Sequence, residues 1–241
     1  GAWKEEIVFT VDASQPLSVS LKRVRYAFPD GTETALPPDS DPRRAFADWL
    51  THPDNPYFAK NAVNRIWFWL FGLGIVNEPD DIRPDNPPSN PELLAALERA
   101  FVSSGYDVKS LLRLILNSAA YQRSCIPATD RAESKTLFAH YSIRRLDAEV
   151  LIDAINQITG STESYTSLIP EPWTYTPIGQ RAVALADGSI TSQFLELFGR
   201  PSREAGFLLE RDNTPTAAQS LHLLNSSHIR QIGRASCRER V

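Results

Sequence analysis

The 241-residue chain has no methionine, only two cysteines and no long apolar run. Each shortage excludes something. A helical membrane span needs about 20 consecutive apolar residues, so none is expected. Lys and Arg number 25 against 29 Asp and Glu, a formal charge of −4. The basic face that a phosphate backbone demands is therefore not expected, nor is a nucleic-acid partner. There is no Cys-x-x-Cys-His string, so this chain is expected to hold no covalent haem and no other cofactor. A Walker loop, a Rossmann glycine pattern and a nucleophile-elbow serine are also missing. The missing methionine, absent even at position 1, leads us to expect the native N-terminus and any targeting segment further upstream.

The last ten residues, Ile232 to Val241, read as an artefact. Ten consecutive codons for this string match a common sequencing-library adaptor in one frame, as in a metagenomic fragment read through its end. Such a tail is set aside in fold reasoning. Without it a net positive charge and Cys237 go, and Cys125 stands alone. A single thiol makes no internal disulfide and no thiolate metal cage.

What remains is organised in two parts. Leu17, Val19 and Leu21 alternate in the strand manner, and Pro29-Asp30-Gly31 marks a turn. Residues 1–41 read as a β arm and a stiff Pro-rich linker, the end of a preceding module. From Pro42 to Gln231 the period becomes helical. Ala45, Phe46, Trp49 and Leu50 form one stripe, and an aromatic helix with Trp67, Phe68, Trp69 and Phe71 follows. Asn90-Pro91-Glu92 and Asp107 start two more helices, with Leu93, Leu94, Leu97, Phe101, Leu111 and Ile115 inward. A further helix near Leu146 to Thr159 is read with Leu146, Val150, Leu151, Ala154, Ile155 and Ile158 inward. A last one is read from Thr214-Pro215 to about Ile229. The expected fold is mainly α: an irregular multi-helix domain with long Pro-rich loops, preceded by a short β arm.

Six strings are more specific than composition. They are Asn61 to Ile66 with Trp67 and Phe71-Gly72-Leu73-Gly74; Asp80-Asp81-Ile82-Arg83; Ser89-Asn90-Pro91-Glu92; Asn117-Ser118-Ala119-Ala120-Tyr121; Phe198-Gly199-Arg200-Pro201; and Gln219-Ser220-Leu221-His222-Leu223-Leu224-Asn225. In this order the chain resembles the C-terminal domain of unknown function of planctomycete-type cytochrome c proteins, from Pro42 to Gln231. The resemblance implies context more than chemistry. It implies a secreted or periplasmic multidomain protein whose upstream domains are this domain's partners, covalent haem lying on one of them. Many relatives carry cysteines after the Phe-Gly-Arg-Pro motif. Here Ala205, Gly206, Phe207, Leu208 and Leu209 stand before Glu210-Arg211, which argues against a thiol or metal role.

The residues leave several readings open. Glu78, Asp80, Asp81, Asp85 and Asn86 cluster in a Pro-rich loop with Arg83. Clustered oxygens suit Ca²⁺, and paired carboxylates suit glycoside hydrolysis. The plainer reading is a rigid loop whose acids pair with Arg65 and Arg83, with Asn64 beside them on the aromatic helix. The loop lacks calcium-site spacing and carries a fixed cation, so no metal site is expected. Arg144 and Arg145 precede a helix whose first turn holds Asp147 and Glu149, and would be free to meet Glu210, next to Arg211. Trp67 and Phe71 are read as core. Trp69, on the opposite face, is the candidate for stacking a ligand. His52, His140, His222 and His228 have no ligand spacing. Two functions follow. One is a structural or accessory module. The other is an extracellular enzyme acting on polysaccharide or another polymer through Asp80, Asp81 and Glu210.

Overall fold

The computed structural model describes residues 26–34, 41–128, 131, 133–170, 172–176, 178–185, 188–202 and 206–226. Most of the expected arm and linker, His228 and the residues from 232 onward lie outside them. The described end of the arm is one antiparallel pair, β1 (Tyr26–Ala27) and β2 (Glu33–Thr34), turning at Pro29-Asp30. Helix α1 (Pro42–Leu50) starts where Asp41 accepts from the Arg43 N–H at 2.9 Å with Pro42 behind it. Its apolar stripe faces this arm, not a core: no α1 residue is buried. Trp49 stacks on Phe28 at 4.9 Å and donates to Asp30 at 3.1 Å.

The first hydrophobic core is built by three helices. In α2 (Phe58–Phe71) the start is held by Asn55, whose side-chain oxygen accepts from the N–H groups of Tyr57 and Phe58. The helix ends at Gly72, in the left-handed conformation that glycine adopts without strain. Val63, Ile66, Trp67 and Phe71 recur at helical spacing and are buried. Trp69, two residues from Trp67, is on the other face and 54% exposed. Helices α3 (Pro91–Ser103) and α4 (Val108–Leu116) begin at the expected caps and bury Leu94, Leu97 and Phe101, then Leu111 and Ile115. A single turn, α5 (Glu133–Thr136), leads to Phe138. Phe138 packs edge-on against Trp67 and Phe71.

The second core forms on α6 (Ala148–Thr159), and here the sequence reading needs correction. The stripe read as inward is so only in part: Ile155 is buried and Leu151 packs against this core. Leu146 (just before α6), Val150 and Ile158 are exposed, while Ala148, Glu149, Ile152, Asp153 and Ile155 are buried. The reason is polar. Asp153 accepts from the Ala182 and Val183 N–H groups at 2.7 and 3.2 Å, and Glu149 binds arginines. Two buried carboxylates with fixed partners decide the rotation of the helix. Around this face lie the turn Ala182–Ala184 and the pair β3 (Thr166–Ser167) and β4 (Ile190–Thr191). The short helix α7 (Gln193–Leu197) adds Phe194 and Leu195, followed by Phe198. Helix α8 (Ala217–Asn225) starts two residues later than the proline suggests. Thr216 and Gln219 form a reciprocal capping box, and Thr214-Pro215 stays outside. The molecule is thus mainly α. No helix among the described residues is long and apolar enough to cross a membrane.

The rotation of α6 is testable by urea unfolding. Ile152→Ala should cost about 2–5 kcal/mol, as for a buried large-to-small change, and Ile158→Ala about 0.5 kcal/mol. The reverse order would put the Ile158 side inside.

Candidate functional site at the junction of the cores

Two adjacent arginines stand where the chain leaves the first core for the second. Arg144 turns back to α2. Its guanidinium donates to the Phe68 carbonyl at 3.3 Å and to the Trp69 carbonyl. The Tyr141 hydroxyl donates to the Leu70 carbonyl at 3.0 Å. A helix leaves its last carbonyls unpaired and carries partial negative charge there, so a cation and a hydroxyl are the groups that suit this end. Arg145 turns the other way. It donates to the Phe198 carbonyl at 2.8 Å, to the Asp212 carbonyl at 3.3 Å and to the Gln219 side chain, and its guanidinium lies 5.3 Å from the Phe198 ring. Gln219 in turn donates to the Leu197 carbonyl at 2.9 Å. Gly199 makes this closeness feasible. Its φ is +79°, and a Cβ there would sit 1.8 Å from the Asp212 carbonyl oxygen.

The segment from Gly206 to Asn213 ties the same two cores a second time. On the first core, Arg65 Nε lies 3.0 Å from Asp80 and its Nη2 donates to the Gly206 carbonyl at 2.7 Å. The other Asp80 oxygen accepts from the Leu208 N–H at 2.6 Å. On the second core, Arg211 forms a two-pronged pair with Glu149 at 2.7 and 3.1 Å. Arg200, whose side chain is 1% exposed, lies 3.7 Å from Glu149 and donates to the Ile190 carbonyl. Asn213 donates to Asp147 at 3.1 Å. Burial would raise the Glu149 carboxyl. The Arg211 hydrogen bonds and the charges of Arg211 and Arg200 outweigh it and hold the group below its ordinary 4.5.

The acidic loop is held from within. Asn64 is fully buried. Its side chain donates to the Val76 and Pro79 carbonyls at 3.1 and 3.0 Å and accepts from the Val76 N–H at 2.9 Å. Asp81 pairs with Arg83 at 2.6 Å, and Arg83 also reaches Asp85 at 3.7 Å. The Asn86 amide nitrogen donates to the Asn77 and Asp81 carbonyls. These carbonyls face a donor, and a guanidinium crosses between the two aspartates. Among the described residues no three His, Cys, Asp or Glu side chains are arranged to hold a metal ion.

The structure therefore gathers Asn64, Arg65, Asp80, Asp81 and Arg83 along α2 and its loop, and brings the Gly206–Arg211 segment onto them. Glu210 lies in the turn Leu208–Glu210 beside that contact. Arg144 and Arg145 do not turn to Glu210, as the sequence suggested, but to backbone carbonyls and Gln219. The described histidines stand apart: His52 near Asp54, His140 on Ser134, and His222 edge-on to the stacked Phe194 and Phe198 rings. Sequence reasoning missed Glu149, Asp153 and Arg200. Acids four apart on the side of Ala148, Ile152 and Ile155 were the available signal for the first two. The Phe-Gly-Arg-Pro string was the signal for the third.

A mainly α-helical domain with two cores and an arginine-rich junction is what the geometry defines. The chain belongs to the PSD1 family, described as a protein of unknown function (DUF1553), whose profile matches residues 42–240. The match starts at the first residue of α1. No curated protein and no solved structure matches the chain.

The Glu149 clasp has a pH signature. A carboxyl depressed in the fold adds stability that is complete above its ordinary 4.5 and is lost as pH falls through the lower folded value. Unfolding measured between pH 7 and pH 3 should show a steeper acid limb in the native chain than in Glu149→Gln. Parallel limbs would mean that Glu149 gains nothing from its arginines.

Proposed function

We propose that this chain is a structural or accessory helical module of a secreted or periplasmic, haem-associated multidomain protein. The observation that supports this reading is the state of the candidate acids. Asp80 is held by Arg65 and a backbone N–H, and Asp81 by Arg83. A glycosidase acid must carry a proton and its partner must face open space at a set separation. Carboxylates committed to arginines and a backbone N–H are already occupied. The sequence resemblance supports the secreted, haem-bearing context. The chain carries no haem-attachment string, so haem would sit on an upstream module. On this reading the chain offers a rigid body to its upstream domains, with Trp69 exposed on its surface for contact with a ligand or a neighbouring domain.

The rival reading is a polymer-degrading enzyme working through Asp80, Asp81 and Glu210. One comparison separates them. Arg65→Ala should destabilise the fold by about 2–4 kcal/mol, because it leaves Asp80 part-buried without its counter-charge. For a chain of this size that lowers Tm by roughly 4–16 °C. Asp80→Asn should shift Tm in the same direction, and the wild-type chain should release no reducing ends from a panel of polysaccharides. Turnover by the wild type that Asp80→Asn abolishes at unchanged Tm would establish the enzyme instead.

A further inference from the structure

A cavity of about 370 Å³ lies between α2, α3, α4 and the chain around Phe138, apart from the arginine clasps. That volume is within the range of small-molecule sites, roughly 300–1,000 Å³. Leu93, Leu97, Leu114, Ile115, Leu137 and Phe138 form its apolar wall. Four polar side chains interrupt that wall: Trp67, Asn90, Ser118 and Arg123. Two of them are engaged. The Asn90 side-chain oxygen accepts from the Leu93 N–H at 3.0 Å, and the Ser118 hydroxyl donates to the Ile115 carbonyl at 2.6 Å.

The other two have capacity left. Trp67 is 1% exposed, and its indole N–H meets no acceptor among the described residues. An indole nitrogen is a donor only, so neither a change of tautomer nor ionisation relieves it. Buried donors without acceptors are rare in folded proteins, and each asks for an explanation. Arg123 gives one N–H to the Ala139 carbonyl at 3.1 Å and meets no carboxylate among the described residues. The lining contains no acidic side chain. An apolar wall, a buried donor without an acceptor and a cation without a counter-charge are together the complement of one class of molecule.

We propose that this cavity binds a hydrophobic monocarboxylate. The apolar body lies against the leucine, isoleucine and phenylalanine wall, and the carboxylate draws on Arg123 and Trp67, the donors left over. An acyl chain and an aromatic acid share this chemistry, and calorimetric titration of the whole chain with decanoate and with 2-naphthoate tells them apart. One of the two acids should bind with 1:1 saturation. Its neutral counterpart, decanol or 2-naphthol, should bind at least about tenfold more weakly, since it lacks the charge that Arg123 matches. Ala96→Phe, at an exposed α3 position lining the cavity, should abolish binding. Arg123→Gln should remove the preference for acid over alcohol, and Arg123→Lys should restore part of it. The proposal fails if neither acid saturates, if acid and alcohol bind equally to the native chain, or if Ala96→Phe binds as the native chain does.

Discussion

The chain folds around two separate hydrophobic cores. The adjacent arginines at 144 and 145 fix them relative to each other. Successive residues in an extended stretch point to opposite sides. Arg144 thereby reaches the exposed carbonyls at the end of α2, and Arg145 reaches Phe198, Asp212 and Gln219. Neither arginine has a carboxylate as its main partner. Each binds carbonyl dipoles, which supply directed acceptors with a smaller desolvation penalty than a buried anion carries. The segment from Gly206 to Asn213 then spans the same junction from the other side, with Asp80 at one end and Glu149 at the other. Two crossings of one boundary make the junction a specified geometry and not merely a contact between apolar surfaces. Buried ionic networks of this kind contribute modestly to net stability. Breaking one partner away is nonetheless costly, because the other is left charged and dry.

The helices of the first core could be read from the sequence because hydrophobic spacing and caps agree there. Val63, Ile66, Trp67 and Phe71 face inward at helical spacing, and Asn90 and Asp107 cap where polar residues precede apolar periods. Helix α6 could not be read in the same way. Its exposed face carries Val150 and Ile158 and its buried face Ile152 and Ile155, so apolar content does not choose between them. What turns it is a pair of carboxylates whose partners lie about thirty and sixty residues away. Hydrophobic periodicity carries no information about such distant partners. The start of α8 was misjudged for a local reason. Thr214-Pro215 has the right chemistry for a cap, but Thr216 and Gln219 satisfy each other reciprocally and win.

The candidate site was legible in its parts and not in its assembly. Pairing of Asp80 with Arg65, and of Asp81 with Arg83, follows from charges placed close together on a stiff loop. That Gly206 and Leu208 would also bind Arg65 and Asp80 does not follow, because a backbone group has no signature in sequence. The same holds for Gly199. Its role appears only when the Asp212 carbonyl is found where a side chain would have to be. Membership of the PSD1 family matches the region that carries these contacts, and the family description leaves its chemistry open. A scaffold reading rests on carboxylates that are already engaged. The cavity beside Trp67 is the place where donors are not.

Coupling of the two cores by the arginine pair is directly measurable. Native-state hydrogen exchange in rising urea reads the α2–α4 amides and the α6–α7 amides separately. In the native chain both sets should open together, at one free energy. In Arg144→Ala/Arg145→Ala they should part, with α6 and α7 opening at lower urea than α2 to α4. Cores that already open separately in the native chain, or that stay coincident at unchanged stability in the double variant, would contradict it.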